Sequence, residues 1–398
     1  MGVVVVGAGL AGLRAAEALR KAGYAGGLTV AGAEPHMPYQ RPPLSKDGIG
    51  LGFNPDMLPF RVGKAAVDVD WRLGSPVTGA DLTARTVALA DGATLDWEGL
   101  IIATGVRSRR LSLPGPETGR HAIRTRDDSA WLRKDLELAR RVVVIGGGFI
   151  GCEVAAAART RGLDVTVVEP EPLPMRRPLG DEPAAALLRR HEARGVRFRL
   201  GVLPAAFEGD DRVRAVTLSD GSTLDADVVV ESVGSACNTE WLAGNGLDLS
   251  DGVLSDGSLR VLVSGIVRDD VYASGDVARY PHPLLFGASR RIEHWTVATD
   301  TARHAGSSLA RHLAGDGAPP ARFKAVPTFW SDQYEMRIQS FGVTGLPDAR
   351  VLEGDLDGDG DAAVGYYHDG HLAGVLLIGL ASRYAHYRPL VAEAISSL

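Results

Sequence analysis

The chain has 398 residues, enough for two or three domains rather than one simple core. Its 45% hydrophobic and 23% charged content is that of a folded globular protein, and a net charge of −6 argues against a nucleic-acid binder. Two cysteines without a close pair imply no disulfide framework and no metal site, and neither a membrane-length apolar run nor a signal-peptide pattern is present, so a cytoplasmic protein without a membrane partner is expected.

The chain opens on Val3-Val4-Val5-Val6, a run suited to a strand buried on both faces, followed by Gly7-Ala8-Gly9-Leu10-Ala11-Gly12. In this G-x-G-x-x-G spacing Gly7 makes the tight turn, Gly9 lets the backbone approach a pyrophosphate, and Gly12 lets the next helix pack close. That helix, from Leu13 to Ala22, would present unpaired N–H groups and a positive dipole end to the phosphates. A second strand, Leu28 to Gly32, leads to Glu34, about twenty residues past the last glycine, where a ribose-binding acid is expected.

Next comes Pro38-Tyr39-Gln40-Arg41-Pro42-Pro43-Leu44-Ser45-Lys46, a segment stiffened by proline that begins a short helix and offers Arg41 and Lys46 to phosphate or flavin. Leu100 to Ile102 reads as a buried strand ending in the small-residue turn Ala103-Thr104-Gly105, where ligands lie in open α/β sheets. Arg141 to Ile145 followed by Gly146-Gly147-Gly148-Phe149-Ile150-Gly151 then repeats the opening motif, with a helix through Glu153 and a strand from Asp164 ending in Glu169. Two complete strand–turn–helix–strand–acid units point to two dinucleotides, one per unit. A 2′-phosphate beside Glu169 would be repelled, so the second cofactor reads as NADH rather than NADPH, with Arg176 and Arg177 as the nearby residues able to soften that choice.

Asp181 to Arg194 is expected as an amphipathic helix, and Val213 to Leu218 as part of a hairpin. Asp227 to Val233 is a buried strand ending at Gly234, and Val271 to Ala273 ends in a turn containing Gly275-Asp276. A helix is expected from Glu293-His294-Trp295 to about Ala314, and Gly315 to Pro320 reads as a linker. Strand pieces at Arg337–Phe341, Ala363–Tyr367 and Leu372–Leu377 with a closing helix, Tyr384–Ile395, describe a separate α+β domain. Its loop 355–361 imitates a calcium loop, but Tyr366 stands where a bidentate Glu is needed, so an acidic hairpin loop is expected.

Taken together, the opening glycine motif, Pro38 to Lys46, Ala103-Thr104-Gly105, Gly146 to Glu153, Gly275-Asp276, Glu293-His294-Trp295 and Val326 to Gln333 resemble the FAD-dependent, NADH-dependent ferredoxin reductases of bacterial oxygenase systems. These stretches span nearly the whole chain, and the region 381–388 fits less well. The resemblance implies a glutathione-reductase-like α/β fold with two Rossmann-like domains and a C-terminal α+β domain. Residues 1–108 and 233–312 would hold FAD, 109–232 would hold NADH, and 313–398 would form an interface domain. It further implies that FAD is held by the opening glycines, Glu34, Arg41, Lys46 and Asp276, and that Lys46 and Glu153 form an ion pair beside flavin N5. Trp295 and Trp330 would lie near the flavin or on its partner-facing side.

The implied partner is a 2Fe–2S ferredoxin or a rubredoxin that serves an oxygenase. Disulfide reductases of this architecture place a thiol pair where this chain has Leu44-Ser45-Lys46, so electrons are expected to leave directly from flavin. An NADH oxidase or peroxidase, and a flavoprotein whose redox state controls assembly, are the competing readings. Arg290 and Arg291 offer either a patch for an acidic ferredoxin or a solvated face.

Overall fold

The computed structural model describes residues 1–63, 66–285 and 287–396, so the last two residues of the expected C-terminal domain lie outside the described residues. It divides into two compact units, one of Met1–Gln40, Leu58–Arg107 and Cys237–Thr328, the other of Arg41–Met57, Ser108–Ala236 and Phe329–Leu398.

The first unit is built on a parallel sheet with the strand order Ile266–Ala273, Thr94–Ile102, Gly2–Val6, Leu28–Ala31, Asp70–Arg72. Val3 to Val6 are buried, as a strand covered on both faces requires. The helix Leu10–Lys21 follows the first strand, and the helix Trp295–Leu313 packs against it. Gly306 permits this close approach, because a Cβ there would lie 2.6 Å from the Ala15 carbonyl oxygen.

The second unit repeats the plan with the strand order Arg197–Leu200, Asp164–Glu169, Arg141–Ile145, Val228–Glu231, Arg120–His121, all parallel. The helices Phe149–Thr160 and Asp181–Ala193 belong to it. The segment 41–57 packs here. Ser129 Oγ donates to the Leu44 carbonyl at 2.9 Å, and Arg161 Nη1 donates to the Ile49 carbonyl at 2.6 Å. Pro42–Ser45 is a 3-10 turn, a tighter form of the short helix expected from the prolines.

The same unit contains a five-stranded sheet, in the order Thr328–Gln333, Met336–Gly342, His371–Ile378, Ala362–His368, Asp348–Gly354, with the closing helix Tyr384–Ser396. Its loop 355–361 joins two antiparallel strands, and Arg189 and Arg190 donate to the carbonyls of Leu356, Gly358 and Gly360. The edge strand Asp348–Gly354 has no counterpart among the expected elements. Its residues are all exposed or half-buried, so it lacks an apolar alternation.

Candidate functional site

In each parallel sheet the strand order reverses beside the glycine loop, and such a reversal opens a crevice at the carboxyl ends of the strands. The two loops are set in matching ways. In the first unit the Gly7 N–H donates to the Ala31 carbonyl (2.7 Å) and the Ala103 N–H donates to the Val6 carbonyl (2.8 Å). In the second, Gly146 N–H donates to Val168 (2.8 Å) and Ser232 N–H donates to Ile145 (2.7 Å).

The glycines differ in what demands them. A Cβ on Gly7 would lie 2.1 Å from the Ala103 carbonyl oxygen, and one on Gly12 would lie 1.8 Å from that of Gly7. Gly146 would meet the Ser232 carbonyl oxygen at 2.2 Å, and Gly151 would meet that of Gly146 at 2.0 Å. The middle glycines, Gly9 and Gly148, would project a Cβ into open space. The protein's own packing therefore explains the outer glycines and leaves the middle ones unexplained. Both helices that follow begin on an extended glycine, without a side-chain cap or an acidic first turn. Open N–H groups beside a bare glycine are what a pyrophosphate needs, so both loops fit a dinucleotide.

Around the first loop stand Glu34, Ala103-Thr104-Gly105 and Gly275-Asp276. Tyr39 donates its hydroxyl to Glu34 Oε2. Thr104 Oγ1 donates to the Asn238 carbonyl (2.7 Å), and Asn238 Nδ2 returns a bond to the Thr104 carbonyl (3.0 Å), fixing the turn that Gly105 makes at φ +62. Gly275, at φ +72, is set so that a Cβ would press on Ala11 at 3.0 Å, which places the Asp276 turn against the loop's own helix. His294 is the residue before the helix Trp295–Leu313, so the helix begins two residues later than expected and Glu293 lies outside it. Burial holds the His294 imidazole down to about 4. Trp295 faces Phe60 at 6.4 Å. Arg291 is engaged by Asp251 and Glu293, both at 2.7 Å, which offsets half of the expected basic patch.

Around the second loop, Glu169 Oε2 accepts from the Gly147 N–H at 2.5 Å and Oε1 accepts from Glu171 N–H at 2.9 Å. Strand register pairs Val6 with Ala31 and Ile145 with Val168, so Glu169 matches Gly32, and Glu171 is the counterpart of Glu34. Glu171 was not among the expected residues. It pairs with Arg177 at 2.7 Å and Arg176 at 3.7 Å, and Arg176 also meets Asp181 at 2.5 Å. Ile150 stands 42% exposed in the first helical turn after the loop. Gly234 turns at φ +94 and accepts from the Arg109 N–H at 3.0 Å.

The second unit also brings together Lys46 and Glu153, with Nζ 3.2 Å from Oε1 and both side chains largely buried. Ser45 donates to Glu153 Oε2 at 2.5 Å, and Ser331 donates to Oε1 at 2.6 Å. Burial pushes the Glu153 carboxyl up, while Lys46, Ser331 and Ser45 pull against it. Asp332 lies 3.8 Å from Lys46 Nζ. Arg41 is in the same unit, where Nη1 donates to the Arg124 carbonyl at 2.5 Å, as is Trp330, whose ring lies under the Arg337 guanidinium at 5.8 Å. Cys152 is fully buried and its thiol is pushed far up by that burial, so it is no nucleophile.

Residues 1–302 match the family model for pyridine nucleotide-disulphide oxidoreductases, and residues 328–397 match the reductase C-terminal model. The chain belongs to the pyridine nucleotide-disulphide oxidoreductase family. It is 38% identical to rhodocoxin reductase of Rhodococcus erythropolis, over 90% of this chain and 82% of that protein. It is 36% identical to the ferredoxin–NAD(+) reductase component of the anthranilate 1,2-dioxygenase system of Burkholderia cepacia, over 98% of this chain and 93% of that protein. Among solved structures, putidaredoxin reductase in its covalent complex with putidaredoxin matches with a TM-score of 0.89 at 30% identity, covering 99% of this chain and 93% of that one. Members of this family are oxidoreductases that bind FAD and NAD(P). Both glycine loops of this member have the geometry for such ligands. Among the described residues no helix is long and apolar enough to cross a membrane.

Proposed function

We propose that this protein is an FAD-dependent NADH:ferredoxin oxidoreductase that passes single electrons to a 2Fe–2S ferredoxin or rubredoxin serving an oxygenase. The observation that carries this is the doubled glycine loop, each with a middle glycine that the protein's own packing does not require, in a chain whose relatives include ferredoxin–NAD(+) reductase components of dioxygenase systems. FAD, when bound, supplies the conversion of a two-electron donor into a one-electron source.

In this reading residues 1–108 and 233–312 hold FAD, residues 109–232 hold NADH, and 313–398 form the interface domain. Gly9, Leu10 and Ala11 would hold the FAD pyrophosphate through their N–H groups, Glu34 would hold ribose hydroxyls, and Asp276 and the Ala103–Gly105 turn would complete that cradle. Arg41, Glu293, His294, Trp295 and Trp330 are the further residues that would hold FAD. Gly148 and Ile150 with Glu169 hold the nicotinamide dinucleotide, and Gly234 shapes the turn opposite. The Lys46 ammonium, fixed by Glu153, would supply the positive charge that stabilises electron density on FAD.

NADH rather than NADPH suits the second loop. Glu169 and Glu171 place two carboxylates there, and Arg176 and Arg177 already face carboxylates of their own. A 2′-phosphate would have to displace those partners and accept the repulsion of Glu169. Purified protein should carry FAD and lose its flavin absorbance when NADH is added without air. A protein that binds no flavin would contradict this reading.

A further inference from the structure

Behind the Lys46–Glu153 pair runs a buried polar chain within the second unit. Ser331 and Gln333 lie on the inward face of the strand Thr328–Gln333, where the alternation of burial sets them with Phe329 and opposite Trp330 and Asp332. Gln333 Nε2 donates to Ser331 Oγ at 3.0 Å, and Gln333 Oε1 lies 2.7 Å from His191 Nε2. His191, on the helix Asp181–Ala193, is fully buried between the rings of Phe198 and Tyr334.

An ionised Glu153 determines the donor directions along this chain. A carboxylate only accepts, so Ser331 must give its proton to Glu153. Ser331 Oγ can then only accept from Gln333, which fixes the amide with its NH₂ toward the serine and its oxygen toward His191. His191 must therefore donate from Nε2, and its Nδ1 has no hydrogen-bond partner among the described residues. Protonating His191 would bury an unsatisfied N–H, and burial pushes its imidazole down, with Arg194 adding repulsion. The imidazole is thus a fixed neutral donor, and each successive N–H or O–H points at Glu153.

We propose that Ser331, Gln333 and His191 are positioning residues that keep Glu153 ionised and aimed at Lys46 by a one-way hydrogen-bond chain. A protonated Glu153 would donate rather than accept at one oxygen, which the converging donors of Ser45, Ser331 and Lys46 oppose. The charged and titratable groups facing the carboxylate are Lys46, with Asp332 behind it, and Cys152 on its own helix. The role toward flavin rests on the reductase reading, while the protonation state of Glu153 does not.

The test is an infrared pH titration of the flavin-loaded protein, with the Glu153 band identified by its loss in Glu153→Gln. Ser331→Ala should raise the pH at which Glu153 takes up its proton by about one unit, the size expected for losing one hydrogen bond to a buried charge. Gln333→Met should move it in the same direction by less, and Ser331→Thr, which keeps the hydroxyl, should restore the wild-type titration. A Ser331→Ala titration that coincides with wild type overturns the proposal, as does a Glu153 already protonated at neutral pH in wild type. Failure of NADH to reduce the wild-type flavin overturns the reductase reading instead, and the titration still decides the hydrogen-bond chain.

Discussion

Lys46 Nζ lies 3.2 Å from Glu153 Oε1, and the two residues reach each other from a proline-stiffened turn and from the second turn of the helix after the second glycine loop. A buried pair like this adds little to stability compared with apolar packing, but removing one partner strands a charge at a cost of about 3–5 kcal/mol. Lys46→Ala should slow the reduction of bound flavin by NADH by about a hundredfold, the usual scale for removing a preorganised charge. Rapid mixing with saturating NADH reads this rate, and an unchanged rate would remove Lys46 from the mechanism.

The glycine loops give a paired prediction. Gly9→Ala and Gly148→Ala meet open space and should leave thermal stability within about 1 kcal/mol, while the first weakens FAD binding and the second raises KM for NADH. Gly12→Ala and Gly151→Ala would drive a Cβ to within 2.0 Å of a backbone oxygen and should cost about 3 kcal/mol of stability or more. Denaturation midpoints together with flavin content separate the two classes. Equal behaviour of middle and outer glycines would refute the distinction.

Glu169 should govern the choice of nucleotide. Glu169→Ala removes the carboxylate that faces the second loop, and the ratio of kcat/KM for NADH to that for NADPH should fall about tenfold, equivalent to about 1.4 kcal/mol. The loss of its bond to the Gly147 N–H predicts that NADH itself also binds less well. A ratio that stays constant would place nucleotide selection elsewhere.

Acid should destabilise the fold before its carboxylates titrate. Burial holds the imidazoles of His191, His282, His294 and His304 below their usual value, that of His294 to about 4. Groups whose folded pKa is depressed bind protons more readily when unfolded, so their contribution is intact above about pH 6.5 and is lost as pH falls toward the folded values. For His294 that window runs from about pH 6.5 to about 4, with a slope of about 1.4 kcal/mol per pH unit. Urea midpoints measured across that range should decline steadily, and a flat profile would contradict the lowered histidine pKa values.

Much of this architecture was legible in the chain. Val3 to Val6 and Val142 to Ile145 are buried on both faces, so each is a continuous apolar run, and Gly12 and Gly151 are required by the backbone oxygens of Gly7 and Gly146, a few residues away. Tertiary pairing was not legible. The match of Glu171 to Glu34 depends on strand register, which sequence distance from the glycines does not reveal. Ser45, Ser331, Gln333 and His191 come from three separate elements far apart in the chain, and polar residues on a buried face carry no hydropathy signal. The strand Asp348–Gly354 was missed because an edge strand with exposed faces has no apolar period.

The most direct measurement is anaerobic: flavin absorbance is followed as NADH is added, a purified oxidised 2Fe–2S ferredoxin is then supplied, and its bleaching is recorded. The account predicts rapid reduction of the flavin by one NADH, followed by bleaching of two ferredoxins as the flavin colour returns. Reduced flavin that leaves ferredoxin oxidised and recovers only with oxygen or peroxide would contradict it.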